Sequence, residues 1–405
     1  MRVRRLERVF FFVEERDVLD VGALLRGKAR IAKEDRLFAA SPLTGREEAV
    51  TAEEVAAFLR IPARRWTTET EAGRQTGLAR VRIRELARCG LLIADSPEPA
   101  YAELRARAGT LKDDAWDPYA ALYHGMARWE GVSERHRLGD VDETLERSRR
   151  WFERHGKRFG PPPGHFHERA DAVGRIELPR TELDGGLFDL LARRRTDREF
   201  DRSRSLGLDE LSTLLRTVYG CWGTQELGPG FVVLRKTSPS GGALHPIEAY
   251  PLVRDVRGVP SGLYHYAPRT HALELLHAMD PDEIEDRIEA IASGQSYLRC
   301  AHVAVVLTAR FGRTFWKYRR HKKVYRVVLL DAGHLSQTFY LTCAELGLGA
   351  FFTSALNDEA AEEALGLDRF AEAAVGLSGC GPLPVAAGRP AFDPEPFEPM
   401  TPSAG

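Results

Sequence analysis

From Val324 to Leu346 the sequence reads VYRVVLLDAGHLSQTFYLTCAEL, and as a helix it would be apolar on nearly every side. A helix with so little polar face is buried, either inside one domain or between two subunits. Directly before it stands a dense basic cluster: Lys317 and Tyr318, then Arg319, Arg320, His321, Lys322 and Lys323. Those charges could be a solvated surface, a grip on nucleic acid, or the setting for one unusual lysine. The rest of the chain has to decide between them.

A chain of 405 residues is ample for two domains with real cores. Its formal net charge of -1 gives no global field for polyanions, so any charge effect is local and nucleic acid is not an expected partner. Cys89, Cys221, Cys300, Cys343 and Cys380 are far apart, without zinc or disulfide spacing, which suits reduced thiols in a cytoplasmic protein. The apolar run Val9–Val13 is too short for a signal-peptide core, and acidic residues follow it at once. The stretch HVAVVLTA at 302–309 has the length of a strand and could not cross a bilayer. A soluble chain without a membrane partner is expected.

The first hundred residues alternate strand-like and helical stretches. RVRRLERVFFFVE reads as one strand; VTAEEVAAFLRI reads as an amphipathic helix, with Thr51 as N-cap and Glu54 completing a capping box. A further helix is expected over about Leu78 to Cys89, stopped by Gly90, and LLIAD follows as a strand. Helices followed by a strand after a glycine stop is winged-helix order, so residues 1–100 are expected to form a small winged-helix-like α/β domain. Residues 101–160 read as a charged helical linker, GPPPG at 160–164 marks a boundary, and a second domain is expected over 161–390. The proline-rich residues 391–405 read as an extended tail.

Three stretches of the second domain could carry chemistry. In RRRTDREF, Arg194, Arg195 and Arg198 surround Thr196 and suit bidentate contacts to a phosphate, although alone the stretch could be a solvated helix end. In SPSGGALHP, the pair Gly241–Gly242 lets backbone approach a planar or anionic ligand and Ser240 adds a hydroxyl, although alone this is an ordinary turn. The third is the cluster that begins with Lys317 and Tyr318. A pair at His165 and His167 has no third metal ligand nearby, so no metal is expected.

In this order the stretches resemble the FMN-dependent nitroreductase superfamily, and within it the SagB-type dehydrogenase branch, the azoline oxidases. The likeness covers most of 165–385: FHERADAVGRIELPR, RRTDREF, PSGGALHP, GLYHYAPRTHALELL, KYRRHKKVYRVVLLDAGHLSQ and AELGLGAFFTSALND. Thr196 stands where serine is commoner, and His245 where the branch often has tyrosine. The resemblance implies an α+β, nitroreductase-like fold that dimerises extensively and binds FMN at the subunit interface. It implies that Arg194, Arg195, Thr196 and Arg198 hold the phosphate and ribityl chain, that Ser240, Gly241 and Gly242 line the isoalloxazine, and that Gln337 and Gly349 assist. It also implies that Lys317 and Tyr318 are the catalytic pair. A base facing the flavin suits azole formation, and flanking cations would disfavour the charged form of Lys317 if the site is partly buried.

On the N-terminal domain, Arg80, Arg84 and Arg88 recur every four residues, with Val81 and Leu86 able to face inward. Such a stripe could hold DNA phosphates or an acidic leader peptide, or be plain solvated surface; a flavoenzyme on the same chain favours the peptide. The expected function is therefore FMN-dependent azoline-to-azole dehydrogenation of a ribosomally synthesised precursor peptide, by a homodimer acting with other peptide-modifying enzymes. The alternatives are an NAD(P)H-dependent reductase of dehydroamino acids or small nitro or quinone compounds, and a flavin-binding regulator that binds DNA.

Overall fold

The computed structural model describes residues 1–19, 21–132, 141–162, 171, 173–176, 178–179 and 184–384. The pair His165 and His167 and the tail 391–405 lie outside the described residues.

The N-terminal unit combines three helices, Ala52–Arg60, Glu69–Thr76 and Arg80–Arg88, with a small antiparallel sheet. In that sheet Arg2–Arg5 lies between Thr67–Thr68 and Leu92–Ala94. The capping box at Thr51 and Glu54 forms as expected, and Gly90 takes a φ of 75° just after the third helix. Two expectations are corrected. RVRRLERVFFFVE is not one strand: Arg2–Arg5 belongs to this sheet, while Phe10–Leu19 pairs with Ile31–Ala40 in a separate hairpin. Val81 does not face inward but is exposed, because Ile83, two residues on, takes the core side with Leu86 and Ala87. A step of two residues turns a helix through about 200°, so Val81 and Ile83 cannot share a face.

The larger unit is built on six antiparallel strands. Their order is Ala272–Ala278, Gly262–Ala267, Ile247–Val253, Val303–Arg310, Glu372–Pro382 and Leu348–Thr353. Val303–Ala309 is buried throughout, and largely apolar, because both of its faces are covered. Val303, Val305, Leu307 and Ala309 pack with Val328 and Phe339 of the long helix Val324–Glu345. Ala304 and Val306 pack on the other side with Ile284 and Ile288 of the Pro281–Ile291 helix. The long helix does keep an outer face: Leu329 and Leu330 are exposed, at 40% and 63%.

The segment expected to be a charged linker contributes to the core through its first part. Its helices Pro99–Asp113 and Pro118–Met126 bring Trp116 between Phe311, Phe315 and Phe370, with ring centroids 4.6, 4.7 and 5.4 Å away. The Trp116 indole N–H donates to Phe370 O at 3.1 Å. Buried His124 meets Tyr325 Oη at 3.0 Å and Arg369 O at 2.9 Å, and Arg128 pairs with Glu362 where both are buried. Of the charged residues farther along the segment, Arg149, Arg150, Glu153 and Arg154 are exposed.

Candidate active site

Strand Val303–Arg310 runs straight into the short helix Phe311–Lys317, which buries Phe311, Thr314 and Phe315. That leaves Lys317 and Tyr318 at its free end, where the Tyr318 N–H donates to Thr314 O at 3.1 Å. Lys317 Nζ donates to Gly242 O at 3.4 Å and lies 5.8 Å from the Phe231 ring and 5.3 Å from the Tyr318 ring. Gly242 has a φ of 68°, and a Cβ there would stand 2.6 Å from Tyr318 Oη and 3.1 Å from Lys317 Nζ. A Cβ on Gly241 would run into Val327 of the long helix. The glycine pair is thus needed for close approach: it lets the turn nestle against the lysine and the tyrosine.

What fixes this turn is Asp331, a residue the sequence reading passed over. It is buried at 4% exposure, accepting from Ser240 Oγ at 2.6 Å and from the Gly241 N–H at 3.1 Å. Ser240 Oγ in turn accepts from the His245 N–H at 2.9 Å, so its hydroxyl is committed to shaping the turn. Ser238 Oγ and Thr338 Oγ1, 2.6 Å apart, and His334 Nδ1, 3.3 Å from Pro239 O, tie the same loop further along the helix. A carboxylate in the middle of an apolar helix was the available signal, since a buried charge requires such partners. Gln337 is exposed and shares its helix face with His334, Gly333 and Leu330, also exposed, at helical spacing.

Around the turn the charges are mostly engaged. Arg313 pairs with Glu248 and donates to His245 O at 3.0 Å, so it is not a free charge beside Lys317. His245, at a φ of 45°, faces Leu234 O with Nε2 at 3.3 Å; a carbonyl only accepts, so Nε2 carries the proton. Burial, and then neighbouring Lys236, push the His245 imidazole below its ordinary range. Burial likewise lowers the Lys236 ammonium, which donates to Tyr219 O at 2.8 Å. Lys317 itself is exposed, so the partial burial expected to act on its charge is absent in the single chain. Residues 319–323 are exposed as well.

The arginine stretch sits elsewhere. Thr196 Oγ1 is 3.1 Å from Tyr340 Oη, the Arg194 guanidinium lies 5.5 Å from the Tyr340 ring, and Arg198 lies 5.6 Å from the Tyr297 ring. Arg195 is tied to Asp197 at 2.9 Å, whereas Arg194 and Arg198 have no ion-pair partner among the described residues. Gly349 belongs to this seat, not to the glycine turn. A Cβ there would meet the Asp197 Cβ at 2.9 Å, beside the bond from the Asp197 N–H to Ala350 O at 2.8 Å. Asp331 and Tyr340 are nine residues apart on one helix, which is about 13 Å along its axis and half a turn around it. One chain therefore presents the two expected halves of the site on opposite sides of the Val324–Glu345 helix.

A six-stranded antiparallel sheet packed on one face of a long helix, with an arginine stretch at one end and a lysine–tyrosine pair over a glycine turn, has the features that the resemblance to flavin-type reductases and dehydrogenases implied. Residues 191–381 match the nitroreductase family. Over 195 residues the chain is 34% identical to the nitroreductase-like protein MJ1384 of Methanocaldococcus jannaschii, covering 48% of this chain and 91% of that one. It is 29% identical over 289 residues to the trifolitoxin-processing protein TfxB of Rhizobium leguminosarum bv. trifolii, covering 65% of this chain and 73% of TfxB. It is 30% identical over 146 residues to the microcin B17-processing protein McbC of Escherichia coli, covering 35% of this chain and 51% of McbC. The chain belongs to the nitroreductase family, whose members generally bind flavin. Within that family it falls in the SagB-type branch that its motifs resemble.

Proposed function

We propose that this protein is an FMN-dependent oxidoreductase that matures a ribosomally synthesised peptide by converting azolines to azoles. The observation that carries the reading is the convergence of Lys317 Nζ and Tyr318 Oη on Gly242. Likeness to proteins named for processing trifolitoxin and microcin B17 supports a peptide as substrate. Aromatising an azoline breaks two C–H bonds: a proton leaves Cα, a hydride leaves the adjacent ring carbon, and a double bond forms between them. Lys317, in its neutral form, takes the Cα proton, and Tyr318 orients the ring or relays that proton. FMN, when bound, supplies the acceptor for the hydride.

The residues present fit that cofactor. Arg194 and Arg198, which lack carboxylate partners among the described residues, suit its phosphate, with Thr196 beside them. The Gly241–Gly242 turn offers close backbone approach next to the catalytic pair, and Gln337 lies on the neighbouring helix face. The separation of these groups across the long helix supports a homodimer in which each cofactor draws on both copies. Exposed Leu329 and Leu330 are suited to that contact. The N-terminal unit would hold the precursor, and partner enzymes would form the azoline. No described helix is long and apolar enough to cross a membrane, and a cytoplasmic setting belongs to this proposal.

The test is to incubate the flavin-loaded protein with an azoline-bearing peptide, first without oxygen and then in air. The proposal expects the flavin to bleach, the peptide to lose two hydrogens, and the colour to return in air. Rapid bleaching by NADPH, with the azoline peptide unchanged, would instead support a reductase.

A further inference from the structure

Between the two units, where strand Arg2–Arg5 passes the helix Pro99–Asp113, there is a pocket of about 150 Å³. Its floor is apolar, with Leu6, Ile93, Leu111 and Trp116, and its rim carries Arg4, Arg5, Arg8, Lys112 and Arg320. The single carboxylate in the lining is Glu7, and that residue faces Arg64 at 3.8 Å. Among the described residues none of the five rim cations has an ion-pair partner. The Arg4 and Arg5 side chains donate to carbonyls, of Ala63 at 3.2 Å and of Ile61 and Leu6 at 3.4 Å, and lie 5.1 Å from the Trp66 ring and 5.9 Å from the Phe58 ring; Arg4 Nε is buried without a hydrogen-bond partner.

Five like charges around an apolar floor repel one another, and the arrangement is relieved by an anion. Arg320 is held there against backbone preference, with a φ of 54° and its N–H donating to Ala115 O at 3.0 Å. A non-glycine residue fixed in the left-handed region points to a position the fold over-determines. The lining selects the ligand: carboxylates suit the five cations, and an apolar neighbour suits the floor of Leu6, Ile93, Leu111 and Trp116. Arg320 also ties the pocket to the chemistry, because it follows Tyr318 by two residues.

We propose that this pocket docks an acidic, partly apolar segment of the peptide substrate, lying outside the portion being oxidised. This inference rests on the peptide reading of the protein. The probe is a fluorescein-labelled peptide alternating glutamate and leucine, titrated into the full-length, flavin-loaded protein and followed by anisotropy, with a lysine–leucine peptide as control. Arg8 and Lys112 are exposed, so Arg8→Glu with Lys112→Glu leaves the fold and the flavin in place. The proposal expects the acidic peptide to bind, with affinity falling steeply as salt rises, and the basic peptide not to bind. It expects the double variant to bind the acidic peptide at least about tenfold more weakly. Equal binding by wild type and variant, no preference for the acidic peptide, or displacement by NADPH would overturn it. Because binding is read without turnover, the docking proposal and the azoline-oxidation reading fail separately: binding without any dehydrogenation would sink only the latter.

Discussion

Replacing Gly242 by alanine probes the geometry on which the functional reading depends. The position has a φ of 68°, and holding a non-glycine residue there costs about 1–2 kcal/mol. The new Cβ would lie 2.6 Å from Tyr318 Oη and 3.1 Å from Lys317 Nζ. Ordinary contact between carbon and oxygen needs about 3.4 Å or more, so the phenol must retreat by something approaching 1 Å and the ammonium by less. A misplacement of that size at reacting groups costs about a hundredfold in rate. Gly242→Ala is therefore expected to keep its flavin absorbance, to lose about 1–2 kcal/mol in a urea titration, and to turn over an azoline peptide about a hundredfold more slowly. Adding Tyr318→Phe should recover part of the stability, since the hydroxyl is the atom in collision, while leaving activity low. A Gly242→Ala protein with wild-type turnover would refute the claim that Lys317, Tyr318 and the turn form one site.

Three further expectations follow from other parts of the molecule. Arg194→Ala with Arg198→Ala should weaken FMN retention on dialysis by at least about tenfold, as loss of charge-assisted bonds to a phosphate requires, with the circular dichroism unchanged. Trp116→Ala should destabilise the protein by about 3–5 kcal/mol, measured by denaturant unfolding, because Trp116 closes the core against Phe311, Phe315 and Phe370. Burial pushes the His124 imidazole down to about 3 from an ordinary 6.5. The unfolded chain therefore takes up a proton there that the folded one refuses. Stability from this group is complete above about pH 6.5 and is lost toward pH 3, by up to about 1.4 kcal/mol per pH unit. His124→Gln should flatten that acid limb.

Much of this was legible in the sequence where one physical requirement dominates a stretch. The helix at 324–346, the capping box at Thr51 and the strand-length stretch at 302–309 each emerged as read, although the helix keeps an exposed outer face. The family resemblance implied roles for Lys317, Tyr318 and Gly242, but their mutual contact was not legible, because the two stretches are 75 residues apart. Other features depend on tertiary partners that local pattern does not encode. Trp116 lies in a charge-rich segment, and only Phe311 and Phe370, far along the chain, reveal it as core. Asp331 looked like one polar interruption of an apolar helix, yet it organises the glycine turn. The break between Arg5 and Phe10 was hidden because both halves have strand composition and pair in different sheets.

The most direct test of the account is Lys317→Ala. The residue ends a short helix and is exposed, so its removal leaves the core untouched. The variant should retain FMN and its oligomeric state and unfold at the wild-type temperature. Its turnover of an azoline peptide should fall by roughly two to four orders of magnitude if Lys317 is the general base. A Lys317→Ala protein that holds flavin and oxidises the peptide at the wild-type rate would contradict the account.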